Sequence, residues 1–306
     1  MATVPVQGVN DGARLTVNQM IRQPTIVPKR MIRMLDQQFI TNAVLRNAGA
    51  VPSGVLVYNE STPLFAEDDP QVYEEFAEIP ATSVKLGQEK VAKSVYKGLA
   101  IKISERMRTR NRVDLVNTQM TQVRNSFVRH YEDTFLSLFL SNPNVPTQAA
   151  SGDWGSAATR VRDDLADGIL AVQEAAVDDA PEDFLGFDPD TLILSNQTAT
   201  AFLKNDDIAK VFQGNIADEN FQYRGTMPGN FYGLRIVKSR RLDPSKAILL
   251  ERNTVGGISD ERALRATPLY EDRPRETWRS DITRASLMFV DQPKAALIFT
   301  GINVAA

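Results

Sequence analysis

KLGQEKVAKSVYKGLAIKI, residues 85–103, followed by VDLVNTQMTQVRNSFVRHYEDTFLSLFL, residues 113–140, is the stretch that decides how this chain folds. In the first part Val91, Val95, Leu99, Ile101 and Ile103 fall on odd positions, the period of a strand with one apolar face. In the second, Val113, Val116, Met120, Val123, Phe127, Tyr131, Phe135 and Leu138 recur at intervals of three and four. That spacing predicts one long amphipathic helix, ended by Asn142-Pro143-Asn144. At 1.5 Å per residue the helix is about 40 Å long, enough to cross a whole domain. The mixed intervals do not sustain a heptad, which argues against a coiled coil.

Upstream, Val55, Val57 and Tyr58 begin a partner strand, so the two legs read as an extended hairpin. Its tip carries Glu67, Asp68, Asp69, Glu74, Glu75 and Glu78 with no basic residue among them. The return leg reverses the sign with Lys85, Lys90, Lys93, Lys97 and Lys102, and Arg106, Arg108, Arg110 and Arg112 form the densest positive cluster. A lone two-stranded hairpin is only marginally stable in water, so this one needs a surface to lie on. Its lysines would also protect an edge from aggregation. Roughly 45 residues of strand and loop is far beyond the usual connection, and loops that long are commonly functional. The acidic tip and the basic stretches are therefore the candidate subunit contacts, because complementary charge fixes register between copies.

Residues 1–52 read as an arm, with Pro24 and Pro28 as breakers and a helical pattern near Met31–Leu45. Gln148–Gly155 reads as a small polar linker. Beyond it the pattern becomes α/β: a helix over Ala157–Ala176, a buried strand at Thr191–Leu194, and a helix over Ala199–Phe212. Later strands are predicted at Gly233–Val237, Ala247–Leu250, Leu264–Pro268, Ser286–Val290 and Ala295–Phe299.

The 306 residues carry 35 Lys and Arg against 38 Asp and Glu, a formal charge of −3, which excludes a polycationic condenser of nucleic acid. Without cysteine there are no disulfides, thiolate nucleophiles or sulfur-ligated zinc sites. The first residues lack a signal-peptide pattern and no apolar run approaches the roughly 20 residues that span a bilayer, so a soluble, cytoplasmic chain is expected, with no membrane partner.

No catalytic constellation emerges. The one histidine, His130, sits inside the long helix, and a single His without Cys excludes Cys–His pairs and multi-histidine metal sites. Asp188-Pro189-Asp190-Thr191 has the acidic pair of a phosphoryl-transfer motif but precedes its apolar strand instead of following one, so it reads as a turn. Gly256-Gly257 lacks the lysine of a phosphate loop. No catalytic, cofactor or metal site is expected, and the chain reads as a structural protein.

With these elements in order, the chain resembles a major capsid protein of a tailed bacteriophage with the Hong Kong 97 fold. Local phrases in the second half carry the likeness: Asp190-Thr191-Leu192-Ile193-Leu194-Ser195-Asn196; Tyr232-Gly233-Leu234-Arg235-Ile236-Val237-Lys238-Ser239, followed by Ala247-Ile248-Leu249-Leu250; and the stretch Gln292–Ile302. The resemblance implies an α+β fold with an N-terminal arm (1–52), an extended hairpin loop (53–107), a peripheral domain with a spine helix (108–156), an axial α/β domain (157–261) and a return to the peripheral sheet (262–306). It further implies hexamers and pentamers closing an icosahedral virion capsid around double-stranded DNA, assembled in the host cytoplasm. The implied partners are other copies of the chain, a portal, decoration proteins, the packaged DNA by non-specific contact, and a separate scaffolding protein, since no long scaffolding region fits ahead of the arm. Some relatives cross-link subunits between a loop lysine and an asparagine; Lys85, Lys90, Lys93 and Lys97 are loop lysines here, but no matching Asn and Glu context is found in the sequence.

Two other readings stay open at this level. An encapsulin-like compartment shares the fold and encloses a cargo enzyme. A carboxylate-based hydrolase, of a different class, would use Asp188 and Asp190.

Overall fold

The computed structural model describes residues 16–35, 38–62, 70–73, 76–79, 81–83, 86–156, 159–177, 180–205 and 230–302. It opens with α1 (Val17–Arg22), closed at its start by a capping box in which Thr16 and Gln19 exchange backbone-to-side-chain hydrogen bonds of 3.0 and 3.2 Å. The helix expected over Met31–Leu45 is two helices, α2 (Ile26–Leu35) and α3 (Ile40–Val44). Helix α2 starts ahead of Pro28, which is tolerated because first-turn N–H groups have no intrahelical acceptor. Val27, Met31 and Leu35, four apart, share its buried face.

Strand β1 (Arg46–Ala50) and β2 (Val55–Glu60) follow, and β2 pairs antiparallel with β3 (Gln88–Lys93), Val57 opposite Val91. The return leg, expected as one strand, is two. At Ser94 the chain leaves the hairpin: the Ser94 N–H donates to the Gly54 carbonyl at 2.8 Å, and β4 (Val95–Ser104) enters a different sheet. The short α4 (Glu105–Thr109), capped by Ser104, leads into α5 (Val113–Leu140), the long helix that the spacing predicts.

Beyond α5, β5 (Thr147–Ala149) corrects the expected linker: it is the edge strand of a six-stranded sheet, and Trp154 just after it is fully buried. The Trp154 indole N–H donates to Asp164 at 2.8 Å, so a polar-looking segment is fixed by one aromatic anchor. Then come α6 (Val161–Gln173), the two-stranded ribbon of β6 (Ala176–Val177) and β7 (Ala180–Phe184), the wholly buried β8 (Thr191–Ser195), and α7 (Asn196–Lys204). Helix α7 begins three residues earlier than expected because Ser195 caps it, its hydroxyl accepting from the Thr198 N–H at 3.0 Å. The remainder of the helix expected to Phe212 lies outside the described residues.

The last third holds β9 (Asn230–Phe231), β10 (Leu234–Ser239), β11 (Lys246–Leu250), β12 (Gly256–Ala266), β13 (Tyr270–Asp272), β14 (Thr277–Val290) and β15 (Ala296–Thr300). Strands β12 and β14 are far longer than the fragments Leu264–Pro268 and Ser286–Val290 that their apolar runs suggest. Their charged positions pair across the sheet instead of ending it: Arg284 of β14 makes a two-pronged contact with Asp260 of β12 at 2.9 and 3.1 Å.

Two sheets result. One has the order β5-β15-β11-β8-β10-β9; the other runs β1-β12-β14-β13, with β4 also paired to β14. Of the segment 262–306, β13 and β14 lie in the five-stranded sheet, while β15 does not return there but sits between β5 and β11 in the six-stranded sheet. Gly168 lets α6 pack on β15, since a Cβ there would fall 2.3 Å from the Phe299 ring. Helix α5 serves both cores. Val116, Met120, Phe127 and Tyr131 join the cluster with α1, α2 and β4; Phe135, Leu136 and Phe139 join the cluster around the six-stranded sheet.

Candidate assembly surface

The β2–β3 hairpin exposes one face and anchors the other. Val55 and Val57 on β2 and Val91 on β3 stand more than 40% exposed, with Val95 and Leu99 continuing the exposed apolar positions onto β4. Isolated exposed valines are ordinary, whereas these three share one face of a two-stranded ribbon and form an apolar patch there. The opposite face is bound to the body. Tyr58 stacks on Phe289 of β14 with ring centroids 5.0 Å apart.

Two carboxylates fix the root. Glu60, buried at the end of β2, forms an ion pair with Lys90 and accepts from the side-chain amides of Asn142 at 3.0 Å and Asn144 at 2.6 Å. Burial by itself would raise the Glu60 pKa; the hydrogen bonds from Lys90, Asn142 and Asn144, with the Lys90 charge, outweigh it and hold the carboxyl below its ordinary value. Glu261 of β12 accepts from the Ser94 and Tyr96 hydroxyls, and these bonds lower its pKa. Gly54 (φ +69°) passes this carboxylate so closely that a Cβ would lie 2.6 Å from Oε2, so a side chain there is doubly disfavoured. Beyond β2, the Ser61 N–H donates to the Asp291 carbonyl at 2.8 Å.

The charged residues singled out in the sequence are not equivalent. Glu67, Asp68, Asp69, Glu74, Glu75 and Lys85 lie outside the described residues, and Glu78 is exposed. Lys90 is engaged by Glu60. Lys97 is half-buried, donating to Thr134 at 3.0 Å and lying 4.8 Å from the Tyr131 ring centroid; burial, then the Arg284 charge, lowers its pKa. Arg108 covers the Trp278 ring and pairs with Glu105 at 3.4 Å, and Arg112 grips Asp114 through two N–H groups at 3.2 and 3.0 Å. Lys93, Arg106 and Arg110 are exposed and carry no ion pair among the described residues.

The residues that anchor the hairpin were not singled out by sequence reasoning. Asn142 and Asn144 read there only as helix terminators, and nothing local in the sequence links them to Glu60, more than 80 positions away. The exposed valines were visible as an apolar alternation, though not which of them stay uncovered.

The expected turn at Asp188–Asp190 is held by structural contacts. Asp190 accepts from the Arg252 backbone N–H at 3.0 Å and from its guanidinium at 2.6 Å, and Asp188 accepts from Gln173 at 3.2 Å. His130 is exposed on α5, its pKa lowered first by partial burial and then by the Lys97 charge. Among the described residues there is no group of three or more His, Cys, Asp or Glu able to hold a metal, and no helix long and apolar enough to cross a membrane.

Residues 88–295, about two thirds of the chain, match the family described as phage capsid protein. The chain belongs to that family. It is a structural major capsid protein with a Hong Kong 97-type fold, a component of the virion capsid. No curated protein sequence matches it. Among solved structures the capsid protein is similar to the virus-like particle from Pyrococcus furiosus, with a TM-score of 0.61 at 12% identity over 89% of this chain and 97% of that one. It is also similar to the capsid of the cyanophage P-SCSP1u, with a TM-score of 0.58 at 10% identity over 98% and 92% of the two chains. The mature capsid of bacteriophage PhiM1 gives 0.55 at 12% identity over 86% of each.

Proposed function

We propose that this capsid protein closes a shell of its own copies, as hexamers and pentamers around double-stranded DNA, by laying the β2–β3 hairpin across a neighbouring subunit. The observation that carries this reading is the pairing of an exposed face, Val55, Val57 and Val91, with a root held by Glu60 and Glu261. A rigidly held apolar ribbon loses little conformational freedom on docking, so most of its burial counts toward affinity. Closed symmetry then multiplies a modest contact around each ring.

The division into arm (1–52), extended loop (53–107), peripheral domain (108–156), axial domain (157–261) and returning segment (262–306) belongs to the same proposal, with β15 packed in the axial sheet. So does the charge match: the acidic segment Glu67–Glu78 of one copy meets Lys93, Arg106 and Arg110 of the next, three exposed basic residues that make no ion pair among the described residues. Assembly takes place in the host cytoplasm with a separate scaffolding protein and a portal, and the shell performs no catalysis. The experiment is negative-stain electron microscopy of purified wild-type protein and of Val57→Asp/Val91→Asp. Closed particles from the first and folded, dispersed subunits from the second are expected; normal particles from the double variant refute the hairpin contact.

A further inference from the structure

A cleft of about 390 Å³ lies between α5 and the end of β10, and its rim is basic. Arg124 and Arg129 border it from α5, Lys238 from β10, and Arg240 and Arg241 from the turn that follows. Among the described residues, the acids beside it, Glu132 and Asp133, are engaged within the subunit. Glu132, buried at the floor, accepts from the Ser239 hydroxyl and from the Arg240 backbone N–H at 3.0 Å, and Asp133 pairs with Arg241 at 2.6 Å. Arg124 shares two N–H groups with the neutral Asn125 amide oxygen at 3.2 and 2.9 Å. The side chains of Arg129, Lys238 and Arg240 are exposed and make no ion pair among the described residues. Like charges gathered this way destabilise the bare surface by self-repulsion, in a chain whose overall charge is −3. A ligand that brings negative charge removes that penalty.

We propose that this cleft binds backbone phosphates of duplex DNA, an inference that rests on reading the chain as a shell around DNA. A phosphodiester offers two unesterified oxygens that match the planar fork of a guanidinium, and Arg124, Arg129 and Arg240 present three such forks. Asn125 and Gln38, also at the cleft, add uncharged amide donors. None of this reads bases, so binding is independent of sequence. A protein carboxylate is the competing anion. The spread of cations favours DNA, which presents a charge about every 1.7 Å of helix axis and so engages several at once, where one carboxylate satisfies one guanidinium.

The test is fluorescence anisotropy of a short labelled duplex titrated with the full chain over a series of salt concentrations. Arg129→Ala/Lys238→Ala/Arg240→Ala should bind at least tenfold more weakly in low salt, with the slope of log affinity against log salt shallower by about 2 to 3. Arg129→Lys/Arg240→Lys should keep most of that slope, and Lys238→Gln alone should reduce it by about 1. Unchanged affinity and slope in the triple variant overturn the proposal. So does displacement of the duplex by polyglutamate at equal charge concentration, which would mark a protein ligand. Particle formation is scored separately by microscopy: if wild-type protein forms no shells, the shell reading fails, while loss of duplex binding in the triple variant still supports the cleft.

Discussion

Glu60, at the end of a hairpin strand, accepts a 2.6 Å hydrogen bond from Asn144, which stands just past the end of the long helix and 84 positions further along the chain. The contact joins the element that reaches outward to the element that stiffens the subunit. Lys90 and Asn142 complete the set of donors on the same carboxylate.

Asn144→Ala should therefore destabilise the subunit by about 1–3 kcal/mol, because a buried carboxylate loses one charge-assisted bond. Thermal unfolding of the variant beside the wild type measures this. The pH dependence has a definite sign. The folded Glu60 pKa is depressed, so its contribution is fully present above the ordinary value of 4.5 and disappears as pH falls through the lower folded value. The stability difference between wild type and Glu60→Gln should be large at neutral pH and should shrink steadily below pH 4.5. A difference that does not change with pH would mean that folding leaves the Glu60 pKa where it stands in the unfolded chain.

Arg284 is 6% exposed, bonded to Asp260 and held 5.3 and 5.1 Å from the ring centroids of Phe39 and Tyr131. Arg284→Ala should cost roughly 3–5 kcal/mol, since it strands Asp260 and opens a space between two rings. Arg284→Met/Asp260→Leu should recover much of that loss, a result read from denaturant midpoints. Equal losses in the single and double variants would place the stabilisation in the guanidinium's packing on the rings.

Gly168→Ala forces a methyl to within 2.3 Å of the Phe299 ring where α6 crosses β15. Overpacking of this kind costs about 1–3 kcal/mol, and the melting temperature should fall accordingly. A variant as stable as the wild type would show that α6 can shift outward freely.

Lys93→Glu/Arg106→Glu/Arg110→Glu should abolish particles in electron microscopy while leaving the melting temperature of the subunit nearly unchanged. Lys97→Met should do the reverse, perturbing the melt, because its ammonium is engaged by Thr134 and Tyr131 inside the subunit. If both variants behave alike, the distinction between engaged and open cations carries no weight in assembly.

The sequence makes α5 legible because its apolar positions repeat without a conflicting signal, and the helix occupies Val113–Leu140 as the spacing predicts. Buried strands such as β8 are legible for the same reason. The break at Ser94 is not, because the odd-position alternation runs through it with no glycine or proline to mark the change of sheet. The length of β14 is hidden by Arg279, Asp281 and Arg284, which look like solvent residues until it is known that Arg279 pairs with Asp281 along the strand, while Asp281 accepts from Tyr270 and Arg284 pairs with Asp260 on neighbouring strands. Of the surface, the charges and the apolar alternation can be read. Which charges are already taken cannot, because Glu60 with Asn144 and Ser94 with Glu261 are contacts between positions far apart.

Tyr131 belongs to one hydrophobic core and Phe135, one helical turn on, to the other. Neither core can slide against the other without bending a continuous rod of hydrogen bonds, so the body of the subunit behaves as one stiff tile. On the proposed hairpin contact, any yielding in a wall built from such tiles falls to the hairpins and their roots, which would then be the seams between stiff plates.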